Sequence, residues 1–255
     1  EKLPFVRELS VKYAGIDPVH ELIPVRPAVH YSMGGVSTDL HGQTEVDGLF
    51  AAGEAACVSI NGANRLGSNS LSECLVFGAQ AGIMAARYVQ SQSKSNPGTP
   101  MSPMAMEEEK RIFEHIVGRE GGDETVAGLR SDLRRSMERN VGIIRDKERL
   151  SEGAKSVREI RKRFENLVLD DKDRTFNTEM VGALELDFLV DVAEALVHSA
   201  LWRRESRGAH FRTDHPERND KVFLKHTLTY RTKRAPAVKY APVSITKWEP
   251  AERKY

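Results

Sequence analysis

Apolar residues recur at three-and-four spacing over much of the second half of the chain, which predicts helices with one buried stripe each. Between 107 and 198, Ile112, Ile116 and Val117 form a first stripe. Val126, Leu129, Leu133, Met137, Val141 and Ile144 form a second, and Leu150, Ala154, Val157, Ile160, Phe164 and Leu167 a third. Lys, Arg and Glu fill the other faces. The stretch 180–201 is apolar all round (Val181, Leu184, Leu186, Phe188, Leu189, Val192, Leu196), as expected of the central, most buried helix of a bundle. Asn177 or Thr178 is its simple cap and Gly208 its stop.

The first half has a different pattern. Leu3, Phe5, Val6, Leu9 and Tyr13 predict a helix that Gly15 and Pro18 end, with an extended exit through Pro24 and Pro27. The segment 36–46 has the signature of a hairpin with its turn at 39–44. Leu49-Phe50-Ala51-Ala52, bounded by Gly48 and Gly53, suits a short buried strand. A helix is expected over 71–89, capped by Asn69 or Ser70, with Gly78, Ala79, Ala81 and Gly82 permitting close approach of a neighbour. Three prolines, one glycine and four serines make 91–103 a linker. Beyond 209 helical periods fade, and 222–224, 228–230 and 243–245 suggest short strands.

Composition narrows the classes. With 255 residues, 40% apolar and 29% charged, the chain can bury a core of one or two domains. A net charge of +1 makes no global case for nucleic acid. The basic residues after Thr229 (Arg231, Lys233, Arg234, Lys239, Lys247, Arg253, Lys254) lack an RNA-binding aromatic pattern and are read as a solvated surface. No apolar run approaches the ~18–20 residues of a membrane span, so membrane association would come through partners. Cys57 and Cys74 are read as reduced, packed thiols, and no His/Cys spacing suggests a metal site. His210, His215 and His226 are read as structural.

The chemistry concentrates in 30–82. Gly53 after an apolar run lets another group approach the backbone, and Glu54 just beyond it is placed either to accept hydrogen bonds from sugar-like hydroxyls or simply to face solvent in a turn. Asn61-Gly62-Ala63-Asn64-Arg65-Leu66-Gly67-Ser68-Asn69-Ser70 is a tight, hydrogen-bonding loop. It leads into a helix whose first amides have no intrahelical partner and can hold an anionic or electron-rich group. Arg65 offers a planar fork matched to a carboxylate, or it is a surface ion-pair residue. His30 is a ligand or a structural residue, and Met33-Gly34-Gly35 lets backbone approach whatever it faces.

These residues together resemble the flavoprotein subunit of succinate dehydrogenase and fumarate reductase. The resemblance rests on His30-Tyr31-Ser32-Met33-Gly34-Gly35, on Gly48-Leu49-Phe50-Ala51-Ala52-Gly53-Glu54 and on Gly62-Ala63-Asn64-Arg65-Leu66-Gly67-Ser68-Asn69-Ser70-Leu71. It continues through Arg204-Glu205-Ser206-Arg207-Gly208-Ala209-His210, Pro216-Glu217-Arg218-Asn219-Asp220, Phe223-Leu224-Lys225-His226-Thr227 and the stretch from Thr246 to Tyr255, so nearly the whole chain is covered in order. L-Aspartate oxidase shares the His and Arg motifs, and Ser68-Asn69-Ser70-Leu71-Ser72-Glu73-Cys74-Leu75 looks much like its loop. The tail ending in Lys254-Tyr255 favours the dehydrogenase or reductase. A helical interaction domain with no activity of its own is the contrasting alternative.

The resemblance implies an α+β chain: a capping-domain remnant at 1–26, the C-terminal part of an FAD-binding α/β domain at 27–90, the linker at 91–103, an antiparallel helical bundle at 104–208 and an extended tail at 209–255. It implies that His30 and Arg65 bind a carboxylate of succinate or fumarate. It implies that Glu54 hydrogen-bonds FAD hydroxyls, while Ser70 and Leu71 present amides to the flavin ring. The implied chemistry is hydride transfer between a substrate carbon and flavin N5, with electrons passed to an iron–sulfur subunit held by membrane anchor subunits. The implied location is peripheral, on the cytoplasmic face of the inner membrane or the mitochondrial matrix face. No Gly-x-Gly-x-x-Gly turn for a pyrophosphate occurs in the sequence. The expectation is therefore a C-terminal fragment, inactive alone. The proton-shuttling arginine and the FAD-linked histidine of the family would lie outside it, leaving no catalytic residue within.

Overall fold

The computed structural model describes residues 3–92 and 102–251. The chain divides into two compact units, Glu1–His30 and Tyr31–Tyr255.

In the first unit, α1 (Pro4–Leu9) starts with Pro4, whose missing N–H costs nothing in a first turn. It widens into a π-type turn over Ser10–Ala14, where the Ser10 hydroxyl bonds back to the Val6 carbonyl at 2.8 Å. Gly15 ends it at φ +69°. Arg7 donates to both oxygens of Asp17, at 3.1 and 2.7 Å, and so holds that carboxyl below its usual range. The predicted apolar stripe exists on α1, but Leu3, Phe5, Leu9 and Tyr13 are all exposed.

The second unit opens on β1 (Val36–Ser37), which pairs in parallel with β2 (Ala56–Cys57), Val36 opposite Ala56. Gly35, at φ +126°, makes this possible: a Cβ there would lie 2.4 Å from the Ala55 carbonyl oxygen. The expected hairpin over 36–46 is therefore not formed between its own arms. Its turn is real, with Asp39 Oδ1 accepting from the amides of His41 and Gln43, but Gln43 bridges to Phe50. Nor is 49–52 a buried strand. Leu49 is half exposed, and Gly53 at φ +71° turns the chain into a 3₁₀ turn, Gly53–Ala55, before pairing can extend. α2 then runs over Asn69–Ser91. The linker expected at 91–103 falls largely on 93–101, outside the described residues.

The bundle comprises α3 (Pro103–Lys110, continuing as a π-type turn over Arg111–Val117), α4 (Val126–Val141), α5 (Lys147–Phe164) and α6 (Thr178–Trp202). Each begins on a side-chain cap: Ser102, Thr125, Asp146 and Asn177 accept from Ala105, Gly128, Arg149 and Met180. Leu129, Leu133, Val157, Ile160, Leu167, Leu186 and Val190 form the core. The second stripe stops short of its expected end, because Gly142 closes α4 and Ile144 is exposed in β3 (Ile144–Arg145). α6 is not apolar-buried all round. Ala183, Leu186, Val190, Ala193, Val197 and Ala200 face the core, whereas Val181, Phe188 and Val192 are exposed.

Past α6 the chain returns along the bundle. β4 (Phe211–Arg212) pairs in parallel with β3, and Arg212, 1% exposed, donates to the Ala200 and Leu201 carbonyls at the end of α6. The buried Glu205 carboxylate pairs with Arg203 and Arg207 at 2.8 Å each. The strand expected at 222–224 is instead the end of a short helix, α7 (Asp220–Phe223), capped by Asn219. β5 (Lys225–Tyr230) and β6 (Ala237–Pro242) form an antiparallel hairpin, so the last expected strand lies earlier than 243–245.

Candidate functional site

Four side chains converge where the second unit begins. Tyr31 donates its hydroxyl to Glu73 Oε2 at 2.8 Å, and Asn61 Nδ2 donates to the same oxygen at 2.7 Å. Glu73 sits near the start of α2 and is 2% exposed. A buried polar group is costly unless it is hydrogen-bonded, and these two neutral donors supply the bonds to Oε2. Burial and the Glu73 carboxylate push the Tyr31 phenol up to about 12, so it stays protonated and keeps donating. The Arg65 guanidinium lies 4.7 Å from the centre of the Tyr31 ring.

Arg65 donates one terminal N–H to the Leu66 carbonyl at 3.1 Å and has no carboxylate partner among the described residues. Four buried side-chain polar atoms lack a hydrogen-bond partner among the described residues, and two of them, Asn61 Oδ1 and Arg65 Nε, belong to this loop. A cation with spare donors and no counter-ion, in a loop of small residues, is equipped to take an anion.

The loop is clasped from the C-terminal side. The Ala63 carbonyl accepts from the Ala209 amide at 2.9 Å, and Ser59 Oγ meets His226 Nε2 at 3.0 Å. Gly208, at φ +56°, permits this contact: a Cβ would stand 2.5 Å from the Ala63 carbonyl oxygen. The glycine expected as a helix stop therefore serves a close approach, since α6 has already ended at Trp202.

The other expected residues are placed as follows. Glu54 lies in the 3₁₀ turn, exposed, with Oε1 accepting from the Ser32 amide at 2.8 Å. Ser70 and Leu71 are in the first turn of α2. The helix begins at Asn69 and is preceded by Ser68 in a left-handed conformation (φ +67°) without a side-chain cap, so neither Asn69 nor Ser70 caps it. The Leu71 amide already donates to the Ser68 carbonyl at 3.2 Å, whereas the Ser70 amide makes no such bond among the described residues. His30 is the exposed last residue of the first unit. Cys74, expected to be packed, is exposed. Sequence pattern alone does not single out Tyr31 or Glu73 as site residues. An acid near the start of a helix entered from a small-residue loop is the one signal that points to Glu73.

Residues 130–255 match the family model described as fumarate reductase flavoprotein C-term, and residues 1–71 match the FAD binding domain. A fumarate reductase flavoprotein subunit from Mycobacterium tuberculosis is 51% identical over the whole chain, which spans 44% of that relative. Over its whole length the chain is similar to the fumarate reductase and succinate dehydrogenase flavoprotein subunits. A succinate dehydrogenase flavoprotein subunit from Rickettsia bellii is 42% identical over 96% of the chain, which covers 42% of it. Among solved structures, a variant of Escherichia coli quinol fumarate reductase superposes with a TM-score of 0.90 at 40% identity, over 99% of this chain and 43% of that one. The chain thus spans less than half the length of these family members. Its Arg65 loop lies inside the FAD-binding match, and the residues that clasp the loop, Gly208, Ala209 and His226, lie inside the C-terminal match.

Proposed function

We propose that this chain carries the dicarboxylate-binding and flavin-contacting residues of an FAD-dependent subunit that interconverts succinate and fumarate. The observation that carries the reading is Arg65: a guanidinium fixed on an aromatic face, with unused donors and no carboxylate partner among the described residues. Arg65 binds a substrate carboxylate, and His30 is proposed as a substrate ligand on the family resemblance alone.

The start of α2 fits one edge of a flavin. With no side-chain cap at Ser68, the Ser70 amide is available to an electron-rich ring atom at the positive end of the helix dipole, and the engaged Leu71 amide is the lesser donor. Glu54 Oε2 is left to accept from a flavin hydroxyl while Oε1 holds Ser32. Bound FAD would supply the redox step, exchanging a hydride at its N5 with a substrate carbon. These residues orient the dicarboxylate and neutralise its charge, which is the protein's share of such a reaction. The sequence has no Gly-x-Gly-x-x-Gly turn, so other residues of the full subunit hold the pyrophosphate.

Electrons pass to an iron–sulfur subunit that membrane anchor subunits hold, with this subunit peripheral on the cytoplasmic or matrix face. Consistent with attachment through partners, no helix among the described residues is long and apolar enough to cross a membrane. The domain boundaries proposed from sequence, 1–26, 27–90, 91–103, 104–208 and 209–255, are the ones to use in dissecting the subunit.

The test is Arg65→Ala in the full-length subunit assembled with its partners. Removing one partner of a desolvated, hydrogen-bonded ion pair costs about 2–5 kcal/mol. Succinate and fumarate turnover should therefore fall at least about thirtyfold, with flavin absorbance per subunit unchanged. A variant that turns over like wild type would overturn the reading.

A further inference from the structure

We propose that Tyr31, held by Glu73, is the positioning residue for Arg65: its ring is the platform on which the guanidinium lies, and it sets the direction in which the fork meets a carboxylate. The proposal rests on the reading that Arg65 binds the dicarboxylate.

An arginine side chain has many rotamers, and a bidentate contact uses only one of them. Something must fix Arg65, and no carboxylate among the described residues does. One terminal N–H is tied to Leu66, which is its own chain neighbour and restrains the head only locally. The Tyr31 ring lies 4.7 Å from the guanidinium carbon and offers a flat face to restrain it. A cation over an aromatic face is drawn to the ring's negative quadrupole, and a flat guanidinium can then direct its N–H bonds outward past the ring edge.

A platform must itself be rigid. Tyr31 is anchored by its hydroxyl to Glu73, and Glu73 is anchored in α2, buried, with Asn61 on the same oxygen. This arrangement also keeps the charges apart. Glu73 is a buried acid on the same tyrosine, and a direct Glu73–Arg65 ion pair would occupy the arginine's donors. Instead Glu73 Oε2 accepts from two neutral donors, and no ion pair joins it to Arg65 among the described residues. The Arg65 fork is therefore left for an incoming anion. Tyr31 does both jobs, with its hydroxyl on the acid and its face under the cation.

The test uses the full-length, flavin-loaded subunit assembled with its partners, with malonate, a dicarboxylate that cannot be dehydrogenated, as the equilibrium probe. Tyr31→Leu removes the platform and should weaken malonate binding at least about tenfold and raise the succinate KM similarly, with flavin content unchanged. Tyr31→Phe keeps the ring but loses the anchor on Glu73, and should weaken malonate binding by less than Tyr31→Leu does, to a value between that variant and wild type. Replacing that phenylalanine with its 3,4,5-trifluoro analogue keeps the shape but drains the ring's negative face, and should cost at least about a further threefold.

A Tyr31→Leu enzyme with wild-type malonate affinity overturns the proposal. So does a trifluorinated ring that binds as tightly as Phe, and this comparison decides alone if Tyr31→Leu fails to fold. A wild type that neither binds malonate nor turns over succinate overturns the functional reading, and the positioning role with it. A normal wild type beside an unaffected Tyr31→Leu overturns the positioning role only.

Discussion

At the scale of single residues, the Arg65 loop is held at Ala63 by a contact that leaves no tolerance for an added atom at Gly208. Its φ of +56° disfavours any side chain, and a Cβ would stand only 2.5 Å from the Ala63 carbonyl oxygen. Gly208→Ala should therefore cost about 1–3 kcal/mol of stability. It should also lengthen the Ala209–Ala63 hydrogen bond and so shift the loop that carries Arg65. Thermal unfolding and succinate KM of the full-length subunit check both, with a lower melting temperature and a KM raised severalfold as the expected results. The position also marks the limit of reading a chain locally. Arg65 and Glu54 are visible in the sequence because their glycine and serine neighbours are adjacent along the chain. Gly208 is visible only as a glycine after an apolar helix, and its partner Ala63 lies far away. Tyr31 and Glu73 escape notice for the same reason, since only folding brings the phenol to the carboxylate.

At the scale of elements, periodicity identifies the helices but not which face of α6 is covered. Ala183, Leu186, Val190, Ala193, Val197 and Ala200 repeat at three-and-four spacing and are buried where α6 packs against α4 and α5. Val181, Phe188 and Val192 lie on another face and are exposed. A sequence with two apolar faces looks fully buried whether one face or both are packed. The two faces should separate in mutational cost. Leu186→Ala leaves a cavity in a fully buried site and should lose about 2–5 kcal/mol, whereas Val192→Ala in the purified chain should stay within about 1 kcal/mol. Urea unfolding at equilibrium measures both, and equal losses would mean that the Val192 face is covered as well. Strands are harder to read than helices, because two-residue strands such as β1 and β2 have no period to detect. Their pairing is set by Gly35 and the turn at Gly53 rather than by alternation. The segment 222–224 misleads for a related reason: three apolar residues in a row suit a strand, but the Asn219 cap winds the chain into α7.

At the scale of the whole second unit, the C-terminal segment ties the bundle to the Arg65 loop, and the charges in that tie make its strength depend on pH. His210 is its centre, with Nδ1 facing an Arg145 N–H at 3.0 Å and Nε2 facing the Arg203 carbonyl at 3.0 Å. This geometry needs a neutral ring with its proton on Nε2. Burial, with the Arg145, Arg203 and Arg212 guanidinia nearby, lowers the His210 pKa to about 4, while the Arg203 carbonyl pulls the other way. In the unfolded chain a histidine titrates near ~6.5. Between those values the unfolded state binds a proton that the folded state refuses, so this contribution is complete above about pH 6.5 and is lost as pH falls toward 4. Burial lowers His198 too, and that loss has the same sign. Asp214, held down to about 2 by Arg212, stabilises the fold above its unfolded value near ~3.9 and is lost only below it. Acid loosening should therefore begin with histidine and end with aspartate. The melting temperature should fall between pH 7 and pH 5. His210→Gln, whose amide can both accept from Arg145 and donate to Arg203, should flatten that slope, whereas Asp214→Asn should lower the melting temperature by the same amount at pH 7 and pH 5, leaving the slope unchanged, with the difference from wild type fading only below about pH 4. A slope between pH 7 and 5 that survives His210→Gln intact would move the pH dependence away from this tie.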